Sequence, residues 1–395
     1  MTTPSEQQTS TTLEEYGSVS RLCSLCSRMC RHGCPTHTST RSDACSPVGR
    51  ALIVELYRGG KSAFTETAVD RLYQCTVCGA CKAWCKPKHE LPRIIELARE
   101  RIIQEHRAPQ GVVELDRAVA QTHNVYGEPH NQRFAALPSP LRAPKPDAEV
   151  LYFVGCTTAY RHPEIAEAAA KVLTKLGVTI HIMTGDDGEV CCGSPLIRAG
   201  AIAAARDLAR QNASAIARAK VPTIVTTCPG CARALKLDYP LLGVSLPENA
   251  RVLHITEFLV SRRRQLQALL TQRNTPARRE ERLSIIYHDP CHLGRELGVY
   301  DAPRQLLNLL PDVQLLEFTH NREHADCCGG GGALPKTFPN LATDVGVHRV
   351  SSAGQSGARY LASCCPNCKQ QFAAVQGAKT GPEPVDLVEL LAGTL

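Results

Sequence analysis

From Glu149 onward, short apolar runs alternate with longer stretches of helical period. Val150–Val154, Val178–Ile182, Thr223–Thr227 and Val252–Ile255 read as strands. The alanine-rich stretch Pro163–Leu176, closed by Gly177, and the long stretch Ile197–Lys220 read as helices between them. The order returns after a charged linker, Arg273–Arg282: strand Leu283–Tyr287, helix Pro303–Leu310, strand Val313–Phe318, then the apolar run Gly357–Leu361. The ends correspond too, Ile255–Leu259 answering Leu387–Leu391. Such alternation specifies an α/β fold, two tandem repeats with parallel sheets covered by helices.

The first third has another pattern. Residues 1–20 are polar, lack an apolar signal segment and read as a disordered lead-in. Pro92–His106 carries Ile94, Ile95, Leu97, Ile102 and Ile103 on one helical face, and a second helix spans Val112–Thr122. Pro138, Pro140, Pro144 and Pro146 make Leu137–Asp147 a linker. The chain thus divides into a lead-in (1–20), a helical unit (21–106), a helical and proline-rich linker (107–148) and repeats at 149–272 and 283–395.

Composition adds one decisive fact. Hydrophobic content of 43% and charged content of 21% are ordinary, but 20 of the 395 residues are cysteine. No apolar run is long enough to cross a bilayer, and nothing directs the chain out of the reducing cytoplasm, so metal ligation outweighs disulfide scaffolding. The net charge of +7 suits an acidic partner, or a peripheral place on the anionic inner face of a membrane. No basic run interleaved with aromatics speaks for nucleic acid.

The cysteines fall into three blocks. Cys156, Cys191, Cys192, Cys228 and Cys231 are matched by Cys291, Cys327, Cys328, Cys365 and Cys368, offset by 135 to 137 residues. Each set gathers five thiols from three loops where strands give way to helices, the ligand-binding edge of a parallel sheet. Five thiols suit a metal cluster better than tetrahedral zinc, which takes four. The third block runs Cys23, Cys26, Cys30, Cys34, then Cys45, then Cys75, Cys78, Cys81 and Cys85. Its second half has the spacing of a bacterial iron–sulfur motif, and Gly79 permits a tight wrap of backbone.

Residues 21–106 resemble the two-cluster ferredoxin domain. The resemblance implies one [4Fe-4S] cubane on Cys23, Cys26, Cys30 and Cys85, and another on Cys34, Cys75, Cys78 and Cys81. Two departures stand out: three residues separate Cys26 from Cys30, and Lys86 separates Cys85 from Pro87. Nine thiols serve eight places, leaving Cys45 spare unless it exchanges with Cys34.

Residues 150–395 resemble the duplicated CCG-domain family. That family includes the catalytic and the fused iron–sulfur subunits of heterodisulfide reductase. It also includes the iron–sulfur subunits of glycolate oxidase, lactate-utilisation and anaerobic glycerol-3-phosphate dehydrogenases. The resemblance implies that each intact five-cysteine set can hold a noncubane [4Fe-4S] cluster, giving one or two such clusters. Cys364 lies outside the pattern. His288 and His292 flank Cys291 and either donate hydrogen bonds to sulfur or cap the turn. Gly329–Gly332 lacks a phosphate-loop ending and suits close backbone approach to a cluster. No dinucleotide fingerprint appears, so the chain is expected to carry neither flavin nor nicotinamide of its own.

The expected function is an iron–sulfur electron-transfer subunit. Its partner would be a flavoprotein dehydrogenase or an electron-transfer flavoprotein, with a quinone, a membrane quinone reductase or another carrier on the other side. The alternative is a disulfide reductase of the heterodisulfide type, with the second set (Cys291, Cys327, Cys328, Cys365, Cys368) catalytic and the first holding a cofactor. A zinc-stabilised, non-redox scaffold is the third reading.

Overall fold

The computed structural model describes residues 12–27, 29–143, 145, 147–185, 188–272, 282–377 and 381–395. The first repeat holds β1 (Val150–Tyr152), β2 (Ile180–His181), β3 (Thr223–Thr226) and β4 (Arg251–His254), ordered β2-β1-β3-β4. The second holds β5 (Leu283–Tyr287), β6 (Val313–Glu317), β7 (Tyr360–Ser363) and β8 (Glu383–Asp386), ordered β6-β5-β7-β8. Both sheets are all-parallel, with Leu151 opposite Ile224 and Ile286 opposite Leu361. Helices cover both faces, so the central strands read as unbroken apolar runs rather than alternations. The sequence pattern misses β8 because Pro384 and Glu383 mask it. Proline is tolerated there because β8 is an edge strand.

The corresponding ends found in sequence are two capped helices. His254 caps Ile255–Ser261, with Glu257 returning to the His254 amide at 2.9 Å. Asp386 caps Leu387–Thr394 in the same way, accepting from the Val388 amide at 3.1 Å while Glu389 returns to the Asp386 amide at 2.8 Å.

The helical unit comprises Gly17–Ser24, Pro35–Thr40, Pro47–Arg58, Glu66–Tyr73, the short turn Ala80–Ala83 and Leu91–Gln104. The expected lead-in is shorter than its polarity suggests. Leu13 is buried in the core and the chain is helical from Gly17, while residues 1–11 lie outside the described ones. The proline-rich stretch is packed rather than free: Phe134 and Leu137 join a core cluster, and Ser139–Arg142 forms one helical turn. Pro144, Pro146 and the charged linker 273–281 fall outside the described residues.

Core packing ignores the boundaries read from sequence. One apolar cluster runs from Leu72, Ile94 and Ile95 of the helical unit to Leu196, Ile197 and Ile202 of the first repeat. A second joins Tyr152 and Val154 to Tyr287, Leu387 and Leu391 of the second repeat. The long stretch expected as one helix divides at Gly200 (φ +91°) into Ser194–Ala199 and Ile202–Ala219. A Cβ on Gly200 would stand 2.5 Å from the Arg99 carbonyl carbon, so the break lies where Leu91–Gln104 crosses.

Arg99 itself is wholly buried and meets backbone on every side. Its guanidinium donates to the carbonyls of Leu72 (2.7 Å), Cys75 (2.6 Å), Arg198 (2.6 Å) and Gly332 (3.0 Å), which belong to all three parts of the chain. Arg99→Ala should therefore lower the unfolding free energy by about 3 kcal/mol, seen as a lower denaturant midpoint. A second expectation concerns pH. Burial raises the Asp386 carboxyl to about 8, so the folded chain keeps a proton that the unfolded chain releases above about pH 4. Stability contributed here falls as pH rises through that window. Asp386→Asn, which keeps a capping oxygen, should flatten the slope in thermal melts between those limits.

Candidate metal centres

All five thiols of the first set sit at the C-terminal edge of its sheet. Cys156 opens the helix after β1, Cys191 and Cys192 lie in the loop after β2, and Cys228 caps the helix after β3 with Cys231 one turn on. Gly155 (φ +80°) makes the first turn, and a Cβ there would lie 2.9 Å from the Cys231 Sγ. Asn212 fixes the double-cysteine loop by accepting from the Val190 amide and donating to the Cys191 carbonyl. The thiols form a continuous hydrogen-bonded chain: 156 to 191, 191 to 192, 192 to 231 and 231 to 228. Donation from Cys191 and then Cys231 draws the Cys192 thiol down to about 6, whereas the Cys191 contact and burial push Cys156 well up. Donation from Cys231 likewise lowers the Cys228 thiol. A metal would displace the thiol protons.

Two residues outside the cysteine pattern complete this set. Arg133, from the stretch before β1, lies 3.5 Å from the Cys156 Sγ and pairs with Glu189 at 2.5 Å. The Glu189 carboxylate in turn accepts from the Val154 amide (2.7 Å) and the Gly155 amide (2.8 Å). Both side chains are fully buried. Neither had a sequence signal, since a lone arginine before a strand has no period or spacing to mark it.

The second set repeats the geometry with different support. The Cys368 thiol donates to the Cys328 Sγ at 3.3 Å, and the Gly329 and Gly330 amides approach the Cys327 and Cys328 sulfurs at 3.4 Å. Hydrogen bonds from Cys327, Cys368 and His288 draw Cys328 well below the ordinary thiol range. Cys291 and Cys365 complete the set, through Cys327 and Cys368 respectively. The Nε of Arg349 donates to His288 Nδ1 at 3.2 Å, which leaves the His288 proton on Nε2 for the Cys328 sulfur. Of the two roles open to His288, the structure supports the sulfur donor. His292 does something else: its Nδ1 lies 3.6 Å from a Cβ built on Gly230, and its Nε2 lies 3.4 Å from Arg233. It stands between the repeats. Cys365 also feels the charge of Cys228, so the two sets face one another.

In the helical unit the thiols lie around two cavities. Cys23, Cys26, Cys30, Cys81 and Cys85 line an open cavity with Leu22 and Leu25. Cys34, Cys75, Cys78 and Cys81 line a more enclosed one with Arg50, whose guanidinium lies 3.6 Å from the Cys34 Sγ. Cys45 is turned away, donating to Gln74 at 3.0 Å. Cys364 lies against the Tyr287 hydroxyl, outside the second set.

The helical unit also touches the second five-thiol set. The Cys78 thiol donates to Cys327, and Cys78, Ala80, Cys291 and Cys327 pack as one apolar cluster. Arg295 pins the junction by donating to the Cys78 carbonyl at 2.6 Å. The glycine run was expected to approach a cluster closely, and Gly329 and Gly330 do approach sulfur. Gly331 and Gly332 instead approach another loop. Cβ atoms on them would lie 2.9 Å from the Thr76 carbonyl oxygen and 2.5 Å from that of Cys75.

Comparison with known proteins agrees with this geometry. A family profile described as a cysteine-rich domain matches twice, over residues 150–236 and 285–373. The chain is 36% identical to one of the subunits of the dihydromethanophenazine:CoB–CoM heterodisulfide reductase of Methanosarcina barkeri, over 82% of this chain and 78% of that protein. It is 31% identical to one of the subunits of the fumarate reductase (CoM/CoB) of Methanothermobacter marburgensis, covering 75% of this chain and 56% of the relative. It is 29% identical to the probable iron-sulfur-binding oxidoreductase FadF of Bacillus subtilis, covering 82% and 46%. A crystal structure of a hypothetical protein from Helicobacter pylori shares the fold, with a TM-score of 0.56 over 97% of this chain and 75% of its own, at 9% identity.

The donor set fits iron–sulfur clusters. Soft sulfur atoms converge in groups of four and five, backbone amides point at them, and buried cations lie beside them. Arg133 carries a stability prediction. Arg133→Met leaves Glu189 buried without its cation and should cost about 3–5 kcal/mol in denaturant unfolding. Adding Glu189→Gln should recover part of that loss.

Proposed function

Because the chain belongs to the duplicated cysteine-rich-domain family of iron–sulfur subunits in heterodisulfide- and fumarate-reductase-like oxidoreductases, we propose that it is an electron-carrying subunit whose partner is a flavoprotein. That partner is a dehydrogenase or an electron-transfer flavoprotein, and a quinone or another carrier stands at the far end. The observation that carries the reading is the contact between Cys78 and Cys327, where a ferredoxin-like thiol group meets a five-thiol set. Cys23, Cys26, Cys30 and Cys85 would hold one [4Fe-4S] cubane, and Cys34, Cys75, Cys78 and Cys81 the other. The two five-cysteine sets would each hold a noncubane [4Fe-4S] cluster. Clusters of these kinds, when bound, store and pass single electrons.

The residues around them do separate work. Arg50, Arg133 and the Arg349–His288 pair place positive charge or an N–H against sulfur, which favours the thiolate form that iron requires. Arg295 fixes the Cys78 loop against the second repeat. Free thiols in such number belong in the reducing cytoplasm, and the basic balance allows a peripheral place on the inner membrane face. Among the described residues no helix is long and apolar enough to cross a membrane.

A second reading, a disulfide reductase of the heterodisulfide type, is favoured by one observation. Both five-thiol sets are complete, and they face each other across a seam holding His292. Substrate sulfurs would bind at the second set there, and a half-buried, neutral His292 would supply a polar wall.

Anaerobically prepared protein should contain about sixteen irons per chain and show reducible iron–sulfur signals by electron paramagnetic resonance. Zinc without iron would overturn the reading. Cys78→Ser should slow reduction of the five-thiol centres by dithionite while the Cys23, Cys26, Cys30 and Cys85 centre is reduced at the parent rate. Turnover of a disulfide by the loaded chain with an artificial donor would favour the second reading over the first.

A further inference from the structure

Among the described residues seven large apolar side chains are exposed, and three of them lie close together in sequence. Leu22 is 58% exposed, Leu25 77% and Met29 70%. They frame Cys26, itself exposed, and Leu22 and Leu25 line the open cavity that also holds Cys23, Cys30 and Cys85. One exposed leucine needs no explanation, but an apolar group around the mouth of a thiol site does.

The charge around this mouth is mostly positive. Neither Arg21–Arg41 nor Cys81–His89, the segments that supply its five cysteines, contains an aspartate or glutamate, and the next residue, Glu90, is paired with Lys82. Arg21, Arg31, Lys86 and Lys88 are exposed there. Arg31 and Lys88 reach acids elsewhere, Asp43 at 3.1 Å and Glu323 at 3.5 Å. Arg21 and Lys86 have no carboxylate within salt-bridge distance among the described residues. An apolar centre inside a charged rim has the anatomy of a protein interface, and an excess of positive charge in that rim steers an acidic partner.

We propose that this face docks a small protein electron carrier, or a redox domain of a partner protein, whose redox centre is ringed by acidic residues. This rests on the electron-transfer reading and adds the place and the partner's chemistry. A lipid surface would also meet basic and apolar groups. The patch, however, is centred on the thiol mouth, where electron exchange needs close approach and membrane binding does not.

The test uses the full chain and an acidic [2Fe-2S] ferredoxin as probe. Calorimetric titration with the oxidised ferredoxin should show binding that weakens as salt is raised. Arg21→Glu combined with Lys86→Glu, and separately Met29→Asp, should each weaken it about tenfold or more, with circular dichroism and melting unchanged. Reduction by the reduced ferredoxin should slow in parallel, while reduction by dithionite stays at the parent rate. Equal binding by parent and variants would overturn the proposal. So would binding of the parent to phosphatidylglycerol vesicles, abolished by Met29→Asp, with none to ferredoxin. If dithionite elicits no iron–sulfur signal but ferredoxin still binds at this face, the electron-transfer reading falls and the docking face stands.

Discussion

Among the described residues four guanidinium groups, those of Arg50, Arg99, Arg133 and Arg349, are the largest side chains wholly removed from solvent, and the cysteine loops are built around them. A buried cation is costly unless charge and hydrogen bonds surround it. Arg133 has Glu189, and Arg349 has Asp326 at 3.4 Å. Arg50 and Arg99 have no carboxylate partner among the described residues. Arg50 meets the Arg71 carbonyl, the Thr36 hydroxyl and the Cys34 sulfur; Arg99 meets four carbonyls. Both lie close enough to Cys75 to be influenced by its charge. Their burial makes sense if the thiols nearby are anionic, as metal ligands are. The same groups that compensate sulfur charge therefore also fix the loops that carry it.

The duplication is clear in the sheets and broken in what surrounds them. Both repeats have the same strand order, the same cysteine-bearing turns and the same capped final helix. The first repeat takes its cation from the preceding stretch, through Arg133, whereas the second uses a histidine, His288, held by Arg349. Among the described residues only the second touches a helical-unit cysteine through a thiol–thiol contact. The two sets are thus alike in ligands and unlike in environment, which is how identical donor groups come to be tuned differently.

Much of this was legible in the chain itself. The strand runs, the offset five-cysteine sets and the matched ends specified the parallel sheets and the edge at which the thiols meet. The resemblance implied a four-and-four grouping in the helical unit, and in the structure Cys45 donates to Gln74. Other features depend on contacts between distant segments. The break at Gly200 exists because Leu91–Gln104 crosses there, and Gly331 and Gly332 are needed because the Cys75–Thr76 backbone lies against them. Edge strand β8 carries a proline and a glutamate, so its pattern is weak. The supporting arginines have no periodicity at all.

The shared interior of the helical unit and the first repeat limits how such a protein can be taken apart. Residues that look in sequence like an appended ferredoxin module contribute to a common hydrophobic wall, and their loops interlock with glycines some 250 positions later. Recombination that exchanged this front end for another would have to carry the matching surfaces of both repeats with it. Such a lineage would evolve as a single inherited block, despite a cysteine pattern that looks assembled from parts.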